Sequence, residues 1–339
     1  MRIILSRTDS IGDVVLTLPM AGVLKQYFPD AYIIFLGRNY TRPVIEACVH
    51  VNEFAEWNPT SALPEMGQDV LASLKADFII HVFPVKEICI AAKQVRIPVR
   101  IATARRTYTW FTCNKLLSIP RKSSSLHEAQ LNLKLLKPLG ITRDFSHQEI
   151  GLLYGLDTHS DPPASWAEFS SVNQPLTHAG EGEKLKLILH PRSKGSAREW
   201  GLGNYSKLIS LLPAERYEIF ITGTADEGAS MSHFLEQHHD RVNDLTGKLS
   251  LTELMALITG SDALVAASTG PLHLAAALGI RAIGLYAPMR PIFPTRWAPL
   301  GKNASFLVMD KKCSDCRNGG VCACIRDIRP EEVADRLGR

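Results

Sequence analysis

At 339 residues the chain is longer than one typical hydrophobic core serves, so two domains are expected. With 45% apolar and 21% charged residues it has the composition of an ordinary globular protein, and no apolar run is long enough to span a bilayer. A net charge of +4 suits an anionic small ligand or an anionic lipid surface, and is too weak and dispersed to argue for nucleic acid.

The start, MRIILSRTDS, lacks the long apolar core and small-residue cleavage site of a signal peptide, so a cytoplasmic location is expected. Ile3 to Ser6 reads as a buried strand. A polar loop with Gly12 follows, then an apolar stretch to Phe28 in which Pro19 predicts a kinked or restarted helix. Further strands are predicted at Ala31 to Gly37, Val51 to Trp57, Asp77 to Phe83 and Val99 to Ala104, with helical stretches between most of them. The run RIATARR, Arg100 to Arg106, is locally basic; it is either a solvated basic face or an anion-facing one.

Between about Asp157 and Glu183 the pattern fails. Pro, Gly and polar residues dominate around a short helical piece at Trp166 to Val172. The predicted division is therefore residues 1–160, a linker at 161–183, and residues 184–339.

The alternation then restarts. Strands are predicted at Lys186 to His190, Tyr217 to Gly223, Arg241 to Leu245, Asp262 to Ala267 and Arg281 to Ala287. Helices are predicted at Asn204 to Leu212, near Gly228 to Gln237, at Leu251 to Ile258, Pro271 to Leu278 and Pro330 to Leu337. Strands alternating with helices imply parallel sheets with crossover helices, hence an α/β fold with two Rossmann-like βαβ domains. Ligands of such sheets bind beyond the carboxyl ends of the strands, where Gly12 and Gly270 both fall.

The stretch ASTGPLHLAAALG, Ala267 to Gly279, is the strongest local signal. A strand ends in Ser-Thr-Gly-Pro and a helix of small residues begins. Free N–H groups and the helix dipole make a seat for a phosphate there, and Gly270 adds no side chain to hold it off. The plainer alternative is an ordinary turn with Thr269 as cap. Late in the chain Cys313, Cys316, Cys322 and Cys324 form C-x2-C-x5-C-x-C, which fits either a metal clip or reduced thiols in a tight loop.

Four groups stand in order: SRTDSIGDVVLTLP (Ser6 to Pro19), HPRSKGSAREWG (His190 to Gly201), TGTADEG with DLTGKLSLTEL (Thr222 to Gly228, Asp244 to Leu254), and the turn at Ala267 to Gly279. With RIPVRIA, LHEAQLNLKLLKPLGI and IRPEEV they resemble glycosyltransferase family 9, the ADP-heptose:lipopolysaccharide heptosyltransferases, over nearly the whole chain. The resemblance implies a GT-B fold with the active site between the two domains. The N-terminal domain would bind acceptor and the C-terminal one nucleotide-sugar, and the last helix is a candidate to pack back on the first domain. It implies inverting transfer from a nucleotide-diphospho-sugar, usually ADP-heptose, with no cofactor and no essential metal. The acceptor would be the inner core of lipopolysaccharide, reached from the inner face of the inner membrane without a transmembrane segment.

Asp13 matches the family's catalytic aspartate and is expected to take the acceptor's proton; its neighbour Asp9 looks like a helix cap. Ser193, Lys194, Arg198, Thr269 and Gly270 are expected on the donor diphosphate. Glu227 is expected on the ribose hydroxyls, and Thr246, Gly247 and Leu249 along the nucleoside. Gly12, Ser268 and His273 are expected near the donor sugar. Two departures stand out. Ser268 replaces the family's usual Asp, which leaves the donor sugar open, and Arg198 replaces a usual Lys. A nicotinamide-dependent oxidoreductase is disfavoured, because the first loop has Gly12 alone in place of G-x-G-x-x-G. A non-catalytic nucleotide-sugar-binding relative is the other alternative.

Overall fold

Six parallel strands recur twice along the chain. The computed structural model describes residues 1–58, 64–121, 123–157, 184–289, 292–310 and 323–338. The chain divides into two compact units, Met1–Asp157 and Thr158–Arg339.

In the first unit the strands are β1 (Arg2–Ser6), β2 (Tyr32–Gly37), β3 (Glu53–Glu56), β4 (Phe78–His81), β5 (Val99–Thr103) and β6 (Lys115–Leu117). They lie in the order β3-β2-β1-β4-β5-β6, every pair parallel. The helices are α1 (Ile11–Val15), α2 (Leu18–Tyr27), α3 (Arg42–Glu46), α4 (Pro64–Ser73), α5 (Lys86–Gln94), α6 (Thr107–Thr112), α7 (Glu128–Leu133) and α8 (His147–Gly151). Ile3, Ile4 and Leu5 are wholly buried, as strands covered on both faces must be. On one face Ile4, Ile34 and Ile79 pack with Leu71 and Ile88 of the covering helices. Pro19 restarts the helix instead of kinking it: α1 ends, and Pro19 takes the first turn of α2, where its missing N–H is harmless.

The second unit has β7 (Leu185–His190), β8 (Tyr217–Ile221), β9 (Val242–Asp244), β10 (Ala263–Ala267), β11 (Arg281–Tyr286) and β12 (Ala304–Val308). Their order is β12-β11-β10-β7-β8-β9, again all parallel. Its helices are α9 (Leu202–Leu211), α10 (Ala225–Ser230), α11 (Ser232–Gln237), α12 (Leu251–Thr259), α13 (Gly270–Ala277), α14 (Pro294–Trp297), α15 (Ala323–Arg326) and α16 (Pro330–Leu337). Both sheets therefore have one doubly wound order, with winding reversing between β1 and β4 in one and between β7 and β10 in the other. Ligands of such sheets sit at these switch points.

The ten predicted strands are present. The two not predicted, β6 and β12, are edge strands. Lys115 and Leu116 are exposed, so β6 carries no buried apolar run, and β12 is only half-buried. The helix predicted near Gly228 to Gln237 begins earlier, at Ala225, and breaks at Met231 into α10 and α11. The last helix, a candidate to pack on the first unit, lies against α9 of its own. There Tyr217 and Arg281 donate to the Leu337 carbonyl, and the buried Trp200 indole donates to the Ile328 carbonyl at 2.9 Å. The linker's short helical piece at Trp166 to Val172 lies outside the described residues.

Candidate active site

In the first unit the loop after β1 is built around a buried cation. Arg7 is 3% exposed and meets three carboxylates: Asp9 at 2.5 Å, Asp13 in close contact, and Glu128 at 3.8 Å. Asp13 sits in the first turn of α1. One of its oxygens accepts from Arg7, and the other accepts from the Ser10 hydroxyl at 2.6 Å. Its side chain is 18% exposed, so it is oriented from within and still reachable from water. Glu128, at the start of α7, also takes Arg121. Arg121 donates to Asn132 at 3.0 Å, Asn132 donates to the Thr17 hydroxyl at 3.5 Å, and that hydroxyl donates to the Asp13 carbonyl at 2.8 Å. A ring of polar contacts thus closes on Asp13, with two guanidiniums facing three carboxylates.

Asp9 is no cap. Ser10 holds the N-cap position of α1, and Asp9 instead pairs with Arg7 while its carbonyl accepts from Tyr40. Burial raises the Asp9 carboxyl above its ordinary range despite that pairing. Gly12 is buried within α1 beside Asp13.

In the second unit, loops after β7, β8, β9 and β10 gather at one end of the sheet. After β7, Glu199 ties the loop together. It accepts from the Ser193 N–H at 3.2 Å and the Ser193 hydroxyl at 3.3 Å, and pairs with Arg192 at 2.9 Å. Arg192 also reaches the Ser230 carbonyl of α10 at 3.0 Å. Ser193 is buried, Lys194 is exposed with φ 48° in a left-handed turn, and Arg198 is half-buried. His190, at the end of β7, shares a 2.9 Å hydrogen bond with Thr222; burial lowers its imidazole pKa, an effect that Glu227 opposes.

Glu227 lies in a capping box. Its Oε2 accepts from the Thr224 N–H at 2.8 Å and the Thr224 hydroxyl at 3.1 Å. The turn after β9 rests directly on this cap. The Gly247 N–H donates to the Gly223 carbonyl at 2.9 Å, and a Cβ at Gly228 would stand 2.2 Å from the Thr246 hydroxyl. Gly247 itself has φ 69°. Glu227, Thr246 and Gly247 are therefore one cluster, with Leu249 half-buried just beyond it.

β10 neighbours β7, pairing Ala266 with His190. The following turn opens α13 with Thr269 at the N-cap and Pro271 in the first turn. Thr269 makes no side-chain cap bond, and its buried hydroxyl has no hydrogen-bond partner among the described residues. A buried hydroxyl of this kind beside free helix N–H groups is suited to an oxyanion. Ser268 is half-buried and directly precedes the N-cap of α13. His273 is buried one turn into the helix.

Asp13 thus belongs to the end of β1, while Ser193, Glu227, Thr246, Gly247, Thr269 and Gly270 share one end of the second sheet. The sequence reading missed Arg7, Arg121 and Glu128, and likewise Arg192 and Glu199. Arg7 lies inside a quoted motif, but its partner Glu128 is remote in sequence, and spacing gives no sign of it. Also missed was a buried trio, His81, Cys89 and Cys113, whose ligand atoms lie within 4.8 Å of one another. The Cys113 thiol is lowered to about 5, first by the Cys89 thiol and next by His81. It is a donor set of the soft kind, with His81 paired to Ser6 at the end of β1. Of the late cysteines only Cys324 is among the described residues, where it is buried; Cys313, Cys316 and Cys322 lie outside them.

Solved structures match the whole chain. *Escherichia coli* ADP-heptose lps heptosyltransferase II superposes with a TM-score of 0.80 at 20% identity, covering 100% of this chain and 98% of that one. *E. coli* heptosyltransferase WaaC with ADP-2-deoxy-2-fluoro heptose gives 0.71 at 17% identity, covering 100% and 99%. Two parallel six-stranded units with this likeness define the fold as GT-B. The family model of glycosyltransferase family 9 (heptosyltransferase) matches residues 90–322, and the chain belongs to that family. Lipopolysaccharide heptosyltransferase 3 of *E. coli* is 27% identical over 305 residues, covering 86% of this chain and 84% of that protein. The protein is therefore an enzyme, a glycosyltransferase. No described helix is long and apolar enough to cross a membrane.

Proposed function

We propose that this enzyme moves a heptose from ADP-heptose to the inner core of lipopolysaccharide, with inversion at the anomeric carbon and Asp13 as the base. The first unit takes the acceptor and the second the donor. The acceptor oxygen attacks the anomeric carbon while its proton passes to the Asp13 carboxylate. The bond from that carbon to the phosphate oxygen breaks, and ADP leaves. One displacement inverts the centre, and no step calls on a metal or cofactor.

The observation that carries the reading is the setting of Asp13. Its carboxylate is fixed by Arg7 and Ser10, reachable from water, and part of a ring with one more carboxylate than guanidinium. A general base must be oriented and within reach of the acceptor hydroxyl, and this carboxylate is oriented and open to water. On the donor side, developing negative charge needs fixed donors. The open N-terminus of α13 with Thr269 and Gly270 offers them, with Ser193, Lys194 and Arg198 from the loop after β7. Glu227 would take the ribose hydroxyls with the oxygen its cap leaves over, and Thr246, Gly247 and Leu249 would flank the adenine. Gly12 and His273 would lie near the sugar.

Ser268 supports a second reading on the donor alone. A neutral hydroxyl can still hydrogen-bond but carries no carboxylate for the donor-sugar hydroxyls, so a family-9 transfer of another sugar is the alternative. Thermal-shift measurements over a panel of nucleotide sugars rank the donors, since a ligand of the folded state raises its stability. Transfer to a truncated core acceptor then tests the base. Asp13→Asn is expected to slow transfer by about a hundred- to ten-thousandfold while keeping the donor-induced shift. Equal rates would remove Asp13 as base. Donor binding without transfer by the wild type would make the chain a non-catalytic relative.

A further inference from the structure

The basic run at Arg100 to Arg106 supplies none of the groups assigned above, although Arg106 and Arg7 both approach the Phe83 ring, at 6.0 and 5.7 Å. It leads into α6, whose inward and outward faces differ sharply. Thr109 and Thr112 are buried, and the half-buried Tyr108 donates to the Pro84 carbonyl at 2.7 Å. Trp110 and Phe111 stand outward, 60% and 73% exposed. Both positions are held: the Trp110 indole donates to the Ala104 carbonyl at 2.7 Å, and Lys93 donates to the Phe111 carbonyl at 2.8 Å. Ile90 on the neighbouring α5 and Leu116 on β6 are also exposed. Two adjacent exposed aromatic rings, one of them held by its indole N–H, form an unusual surface, because scattered apolar exposure is normal and a cluster is not.

The charge around them is one-sided. From Lys86 to Leu117 the chain has seven Lys and Arg residues against the single acid Glu87. The whole chain carries only +4, so the remainder is net negative. Arg100 is turned inward onto the Thr112 and Ile97 carbonyls, while Lys86, Lys93, Arg96, Arg105, Arg106 and Lys115 are exposed.

We propose that this face, with Trp110 and Phe111 at its centre, lies on an anionic phospholipid surface. Aromatic rings rest at the headgroup level, and the cations around them meet lipid phosphates. Six exposed cations against the single acid Glu87 match a uniformly anionic surface. A second copy is disfavoured, because a two-fold contact would set the same cations against each other. The proposal deepens the reading of the acceptor as a membrane-borne glycolipid, and its test stands apart from that reading.

The test is co-sedimentation with vesicles of phosphatidylethanolamine and phosphatidylglycerol, against vesicles of phosphatidylcholine alone. The wild type is expected to bind the anionic vesicles, and added salt to weaken binding. Trp110→Ala/Phe111→Ala should lower the bound fraction about tenfold, and Arg105→Gln/Arg106→Gln should reduce the preference for anionic lipid. These side chains point outward, so circular dichroism should show folded variants. Transfer by Trp110→Ala/Phe111→Ala to a water-soluble, lipid-free acceptor should be unchanged, and its absence in the wild type too would count against the proposed function alone. Failure of the wild type to bind anionic vesicles would overturn the inference, as would equal binding by the aromatic variant. A wild-type dimer that this variant makes monomeric, without vesicle binding, would assign the face to self-association instead.

Discussion

At the end of β1 the first unit buries Arg7 among three carboxylates. At the end of β10 the second unit buries Thr269, a neutral hydroxyl without a partner among the described residues, at the mouth of a helix. The sheets beneath have the same strand order. One scaffold thus presents three carboxylates around a buried guanidinium in one unit and an unpartnered hydroxyl at a helix N-terminus in the other. On the proposed function the base belongs with the first and the leaving diphosphate with the second. The wound sheet supplies the position at the strand ends, and the loop residues decide the sign.

The largest expected effect comes from removing the cation of the first unit. Arg7→Gln leaves Asp9, Asp13 and Glu128 close together without their shared partner. Breaking a buried pair in this way typically costs about 3–5 kcal/mol, because a buried charge is left uncompensated. Urea unfolding should show that loss, and transfer should fail with it as Asp13 loses its orientation. A change below about 1 kcal/mol, the scale of an exposed pair, would mean that the group is solvated and the contrast between the units is weak.

The second unit should answer the opposite way. Thr269→Val keeps the shape and removes the orphaned hydroxyl. Unfolding free energy without ligand should hold or rise by about 1 kcal/mol, since a buried unsatisfied group is itself unfavourable. Binding of ADP, followed by calorimetry, should weaken about tenfold, the worth of a hydrogen bond to a charged group. A loss of stability with unchanged ADP affinity would make Thr269 an ordinary structural residue.

How these features could be read from the sequence depended on their range. The doubly wound halves were legible because ten strands are short apolar runs bounded by polar turns, and burial on both faces enforces that pattern. β6 and β12 were not, since an edge strand with an exposed face has little reason to be apolar. Thr269 and Gly270 were read as local turn chemistry, and Asp13 from the family resemblance. The ring on Asp13 was not, because Arg7, Arg121, Glu128 and Asn132 come from the loop after β1 and the segment at α7, and only the fold joins them. Glu227 shows the limit from the other side. Its place after a strand was clear, yet the carboxylate proves to cap its own helix, a role common to any Thr-x-x-Glu start.

The smallest effect tests how dry the second unit's edge is. His190 is buried with its imidazole pKa lowered from 6.5, chiefly by loss of water. Above pH 6.5 both folded and unfolded forms are neutral and the residue adds no pH dependence. As pH falls below that value the unfolded chain takes the proton first, so stability declines until the folded pKa is reached. One such group contributes a slope of at most about 1.4 kcal/mol per pH unit. His190→Gln should flatten the decline of unfolding free energy between about pH 6.5 and 5 relative to wild type, whatever its effect at neutral pH. His50 and His238, also lowered by burial, remain in both proteins and cancel in the comparison. Parallel curves would mean that water reaches His190 and Thr222, and an edge that wet would hold a diphosphate weakly, because hydrogen bonds to charge lose strength where solvent competes.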